Sequence, residues 1–131
     1  MILNIHKPIG WTSFDIVKKI RGIIHEKKVG HGGTLDPFAE GVLIIGTGRD
    51  TKQLTIINAE DKSYTATIQL GEMTNTLDTE GDIIETKLVP ELSQDKVEQV
   101  LNSFLGSSFQ TPPMYSAKKV NGQRLYKLAR K

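Results

Sequence analysis

The sequence has 131 residues, no cysteine, 37% hydrophobic, 6% aromatic and 24% charged side chains, and a net charge of +2. A chain of this length can bury one sizeable core, and the lack of cysteine excludes a disulfide framework, a thiolate metal site and a cysteine nucleophile. No apolar run approaches a membrane span, and the opening Met1–His6 is too short and uncharged for a signal peptide, so a reducing, cytoplasmic setting is expected.

In chain order, Ile2, Leu3 and Ile5 predict a short strand, stopped by Pro8 and Gly10. Thr12 or Ser13 can cap a helix whose apolar positions Ile16, Val17, Ile20, Ile23 and Ile24 share one face. Half of the twelve glycines then fall between Gly30 and Gly48, and within that stretch Val42–Ile45 reads as a buried strand. Ser63–Leu70 alternates, with Tyr64, Ala66, Ile68 and Leu70 on one side and polar residues on the other, which predicts a half-buried strand. Gly71–Gly81 reads as a polar loop and Asp82–Val89 as a second strand. Pro90 and Ser93 open a helix, with Leu92 and Val97 spaced as a hydrophobic staple. Its core face is Val97, Val100, Leu101, Phe104 and Leu105, and Gly106 stands where a C-terminal cap belongs. Pro112-Pro113 forces extended backbone, Asn121-Gly122 signals a hairpin, and a helix is predicted from Leu125. This order predicts an α+β fold with a largely antiparallel sheet, and an ending inside an element predicts an incomplete chain.

Charge is unevenly spread. Residues 1–60 carry eight basic and six acidic groups, residues 61–107 three and nine, and residues 108–131 six and none. A basic end is a pointer to a polyanion, or simply a solvated face.

The informative stretch is Gly30-His31-Gly32-Gly33-Thr34-Leu35-Asp36-Pro37. Its glycines let backbone approach a ligand closely or adopt positive φ. Asp36 before Pro37 is biased away from helical backbone, which leaves two roles open: an ordinary helix cap followed by proline, or a carboxylate placed on a loop for chemistry. His31, Asp36 and Glu40 have no spacing that would make them metal ligands on one face, and Gly46–Lys52 lacks the ending a phosphate loop needs. Tyr64 is either a core tyrosine or a platform on which a base stacks, and the same choice applies to Tyr115 and Tyr126.

The stretch Gly30–Pro37, continuing to Gly41-Val42-Leu43, resembles the catalytic motif of the TruB-type tRNA pseudouridine synthases. Lys7-Pro8-Ile9-Gly10-Trp11-Thr12-Ser13 resembles the opening motif of that family. Lys62-Ser63-Tyr64 with Leu70-Gly71, Thr74, Thr76, Asp78 and Gly81 resembles its strand-and-loop segment. Gln110, Pro112-Pro113, Tyr115–Lys118, Gly122, Tyr126, Ala129 and Arg130 resemble a further block. Gly32 departs from the pattern by standing where the family usually has threonine. The family's catalytic domain continues past this point, through an arginine that pairs with the aspartate and often into a smaller RNA-binding domain. Residues 1–131 therefore resemble the N-terminal part of that catalytic domain, with the remainder absent.

The resemblance implies conversion of uridine to pseudouridine in the TΨC loop of tRNA, at tRNA position 55, on a nucleotide flipped out of its stack. It makes Asp36 the catalytic aspartate and His31 and Tyr64 substrate-binding residues, with tRNA as partner and neither metal nor cofactor. Two alternatives accompany it: a guide-RNA-dependent pseudouridine synthase, and a non-catalytic RNA-binding fragment.

Overall fold

The computed structural model describes residues 1–112 and 118–125. Pro113, Tyr115, Tyr126, Ala129 and Arg130, together with the helix expected to continue beyond Leu125, lie outside the described residues. The elements are α+β, every strand pairing among the described residues is antiparallel, and the chain divides into two compact units, Met1–Ala66 and Thr67–Lys131.

In the first unit, β1 (Ile2–Lys7) and β2 (Val29–His31) flank β3 (Gly41–Thr47), giving the order β1-β3-β2. The register sets Leu3 opposite Ile45, Ile5 opposite Leu43 and Lys7 opposite Gly41. Side chains in a strand alternate between faces, so Leu43, Ile45 and Thr47 go inward together. Val42–Ile45 is thus buried on one face only, and Val42 remains 66% exposed. Helix α1 (Ser13–Ile24) covers the inward face, where Ile16 and Val17 meet Val29, Leu43 and Ile45. Leu3, Ile5, Ile20, Ile24 and Leu35 pack around them. Ile23, which the spacing sets on the same face as Ile16 and Ile20, is exposed instead.

Thr12 is the N-cap of α1, and Ser13 is its first helical residue. Asp15 N–H donates to Thr12 Oγ1 at 3.1 Å while Thr12 N–H donates to Asp15 Oδ2 at 3.1 Å, a reciprocal capping box. A turn of 3-10 helix (Gly48–Gln53) leads from β3 into the short α2 (Leu54–Ile57). Leu54 explains three of the glycines. A Cβ at Gly46 would lie 3.0 Å from Leu54 Cγ, and one at Gly32 3.3 Å from its Cδ2. Gly30 meets the same side chain at 3.5 Å. The expected close approach of backbone to a ligand is, at these positions, the close approach of a leucine.

Ser63–Leu70 is not a strand. Its residues are exposed and carry no ladder pairing among the described residues. Alternation decides which face a strand would bury, but an extended segment still needs a neighbour's row of N–H and C=O groups.

The second unit contains a hairpin of β4 (Glu72–Thr74) and β5 (Ile83–Thr86), so the expected polar loop begins as a strand and the expected second strand is shorter. Within the intervening turn, Thr74 Oγ1 donates to Asp78 O at 2.7 Å and Thr76 Oγ1 to Asp78 Oδ1 at 2.6 Å. Helix α3 (Gln94–Asn102) is capped by Ser93, whose hydroxyl accepts from Lys96 N–H at 3.3 Å. Its expected core face is exposed, and Phe104 and Leu105 lie beyond its end. The cap at that end is Ser103 in right-handed conformation, and Gly106 makes its turn three residues later. Strands β6 (Lys119–Val120) and β7 (Gln123–Arg124) pair through Asn121-Gly122, both with positive φ, as the sequence predicts. All the buried apolar residues among those described belong to the first unit.

The capping box makes a pH-dependent prediction. The hydrogen bonds from Thr12, and then Lys18, hold the exposed Asp15 carboxyl below its ordinary value. A group lowered in the folded state binds fewer protons there than in the unfolded chain, so its contribution is complete above the ordinary carboxylate range. It is lost as pH falls through the lowered value. Urea unfolding across the acid limb should therefore show a shallower pH dependence for Asp15→Asn. Thr12→Ala should lower stability at neutral pH by about 0.5–2 kcal/mol, read from the same transition.

Candidate functional site

The site is built from two loops of the first unit. The first follows β1. Lys7 is the last residue of that strand and points to the core side, where it is 0% exposed. Its ammonium donates to Pro8 O at 2.9 Å and to Trp11 O at 2.7 Å, so the Pro8–Trp11 turn closes around a buried cation. A buried ammonium is tolerated only where such acceptors replace water. Lys7 is therefore committed to its own turn.

The second loop leaves β2. Gly32 N–H donates to Ile44 O at 2.8 Å, the last bond to β3 before the chain swings away at Gly33, which has φ 129°. A side chain at Gly33 would be strained by that angle and would meet Asn58 Oδ1 at 3.1 Å. His31 is half-buried, and its Nδ1 bonds the Gly33 carbonyl. A carbonyl only accepts, so Nδ1 is the donor in this contact.

Asp36 opens a turn rather than a helix. Ala39 N–H donates to Asp36 O at 3.0 Å, with Pro37 at the second position where its fixed φ suits a turn. Of the two roles left open by sequence, the helix cap is excluded by this backbone. Pro37 O accepts from Gly10 N–H at 2.7 Å, which joins this loop to the first one. The Asp36 carboxylate is exposed and enters no ion pair among the described residues. Tyr64 belongs to the same compact unit, in the unpaired segment, and is 72% exposed. A core tyrosine is thereby excluded for this structure.

The Lys7 contacts are not legible from the sequence motifs alone. The available signal was a lysine at an inward position of a strand, continuing Leu3 and Ile5. No group of three or more metal-binding side chains is found among the described residues, and no helix described is long and apolar enough to cross a membrane.

Comparison with known proteins adds to this geometry. A family model described as the TruB family pseudouridylate synthase N-terminal domain matches residues 21–131. The chain is 54% identical over 129 residues to tRNA pseudouridine synthase B of Clostridium novyi (strain NT), covering 98% of this chain and 44% of the relative. It is 46% identical over 130 residues to tRNA pseudouridine synthase B of Lactococcus lactis subsp. lactis (strain IL1403), covering 98% and 40%. Among solved structures, a chain of a Cbf5-Nop10-Gar1 complex matches with TM-score 0.61 and 28% identity, over 90% of this chain and 30% of that one. The chain spans less than half the length of the curated relatives it matches.

The Lys7 turn can be tested on its own. Lys7→Met keeps the buried stem and removes the donor from two carbonyls, which should destabilise the first unit by about 1–3 kcal/mol. The check is the urea midpoint, and a midpoint equal to that of the parent protein would show the ammonium to be dispensable.

Proposed function

The chain belongs to the TruB family of pseudouridylate synthases, and on that premise we propose that the protein isomerises uridine to pseudouridine in tRNA. Its target in this proposal is the TΨC stem-loop at tRNA position 55. Residues 1–131 supply the N-terminal part of the catalytic domain. The observation that carries this is the Asp36 turn: an exposed carboxylate on a loop whose backbone is bonded to a neighbouring loop, in a chain that matches the family along most of its length.

The chemistry needs what Asp36 offers. Breaking the C1′–N1 bond develops positive charge on the sugar, and an adjacent carboxylate stabilises that charge or attacks covalently. A hydrolase needs a second carboxyl group to activate water, whereas an isomerase must keep water away and rejoin C1′ to C5. Flipping the nucleotide costs a few kcal/mol, which stacking and hydrogen bonding in the pocket must offset. In this assignment Tyr64 stacks on the flipped base, and its exposure leaves the ring free to do so. His31 contacts the RNA. Basic residues such as Lys118 and Lys119 hold the phosphate backbone. The reaction requires neither metal nor organic cofactor, and its setting is the cytoplasm, where tRNA is the partner.

The test is tritium release from uridine-labelled, unmodified tRNA, using the protein with whatever chain naturally continues it. Asp36→Asn should abolish turnover and leave tRNA affinity nearly unchanged. Retention of a tenth of the activity, a loss of only about 1.4 kcal/mol of barrier stabilisation, would return Asp36 to a structural role. Tyr64→Phe should slow the reaction by roughly 10²–10⁴-fold if the hydroxyl moves a proton. Tyr64→Leu should in addition weaken tRNA binding.

A further inference from the structure

We propose that Ser13 is a positioning residue for the Asp36 carboxylate. Its hydroxyl grips both polar groups of Leu35 from the first turn of α1, and so fixes the backbone from which Asp36 projects. The inference rests on the assignment of Asp36 as the catalytic carboxylate.

Ser13 is 3% exposed, an unusual burial for a serine at the start of a helix. Leu35 N–H donates to Ser13 Oγ at 2.9 Å, and Ser13 Oγ–H donates to Leu35 O at 3.1 Å. A hydroxyl has one proton to give, and here it gives that proton to the same residue from which it accepts. The helix does not need this hydroxyl. Thr12 already supplies the side-chain cap, accepting from Asp15 N–H in the capping box, which leaves the Ser13 hydroxyl to bond across 22 residues of chain.

The hold is completed on the other side of Asp36. Gly10 N–H donates to Pro37 O at 2.7 Å, from the turn that immediately precedes Ser13. The residues before and after Asp36 are therefore both bonded to the segment 10–13, and the Asp36 carbonyl is engaged by Ala39. Only two side-chain torsions separate this braced backbone from the carboxylate. A carboxylate that must meet C1′ at reacting distance depends on such bracing, because an ångström of misplacement costs roughly 10²-fold in rate. Leu35 also packs against the core, so the unit can fold without the hydroxyl, and what the hydroxyl adds is direction.

The experiment compares Ser13→Ala, Ser13→Thr and Asp36→Asn in the protein with whatever chain naturally continues it. The readouts are single-turnover and steady-state kinetics on unmodified tRNA, thermal unfolding, and amide exchange at Leu35. Ser13→Ala should remain folded at the assay temperature, lose roughly 10–100-fold in kcat, and keep KM within about threefold. Leu35 amide exchange should accelerate by up to about tenfold as its acceptor is lost. Ser13→Thr retains the hydroxyl and should recover most of the lost kcat. A purely structural serine would lower the unfolding temperature and the folded fraction but leave kcat per folded molecule unchanged, and that result overturns the proposal. So does unaltered Leu35 exchange, or failure of Ser13→Thr to recover kcat while folded. If Asp36→Asn is dead while Ser13→Ala turns over normally, Ser13 loses its role and Asp36 keeps its own. If Asp36→Asn is active, the assignment of Asp36 fails, and the role inferred for Ser13 fails with it.

Discussion

Strand β3 is the constraint on which the first unit depends. It is paired on both edges, its Ile45 is fully buried against α1, and its Gly46 is closed off by Leu54. A strand held on four sides can neither slip in register nor twist its inward residues out without breaking several contacts together. Slippage by one residue would send Leu43 and Ile45 to the side where Val42 now meets solvent. The loops inherit this rigidity. β1 ends opposite Gly41 at Lys7, and β2 ends opposite Ile45 at His31, so both loops of the site start from fixed points on one strand.

From those points the two loops are joined by polar contacts rather than by apolar burial. Gly10 bonds Pro37, Ser13 bonds Leu35, and Lys7 stiffens the turn between them from beneath. Hydrogen bonds suit this task because they fix direction as well as distance, whereas apolar packing tolerates small rotations. Each is worth only about 0.5–1.5 kcal/mol net, so their value is in geometry more than in stability.

What the sequence made legible was the chemistry of short range. The helix cap expected at Thr12 or Ser13, the Ser93 cap and the Asn121-Gly122 turn are decided by residues within four positions of each other, and each forms, the first of them at Thr12. The alternation of Leu3, Ile5 and Lys7 was equally local, yet its last member was passed over because lysine is rarely an inward residue. What was not legible depends on partners distant in the chain. Ser63–Leu70 has a strand's pattern and no ladder among the described residues, and α3 has an apolar face with nothing described upon it. The packing role of the glycines is hidden for the same reason: their neighbour, Leu54, is separated from Gly30 by a whole strand and a turn. Asp36 was the closest case. Asp-Pro opens helices and turns alike, and the choice was made by the Ala39 N–H and the Gly10 bond, neither of which periodicity reveals.

The same contrast separates the fixed from the free parts of the candidate site. The backbone at residues 35–37 is bonded to its neighbours, while the Asp36 carboxylate and the Tyr64 ring are exposed. In an enzyme that must exclude water around a developing cationic sugar, exposed reacting groups need a cover. On the proposed function the substrate brings part of it: a flipped uridine stacked on Tyr64 covers that ring, and the ribose bound at Asp36 covers the carboxylate. On that same proposal, a backbone braced beforehand leaves the binding energy to be spent on ordering the nucleotide rather than on assembling the loop that carries the carboxylate.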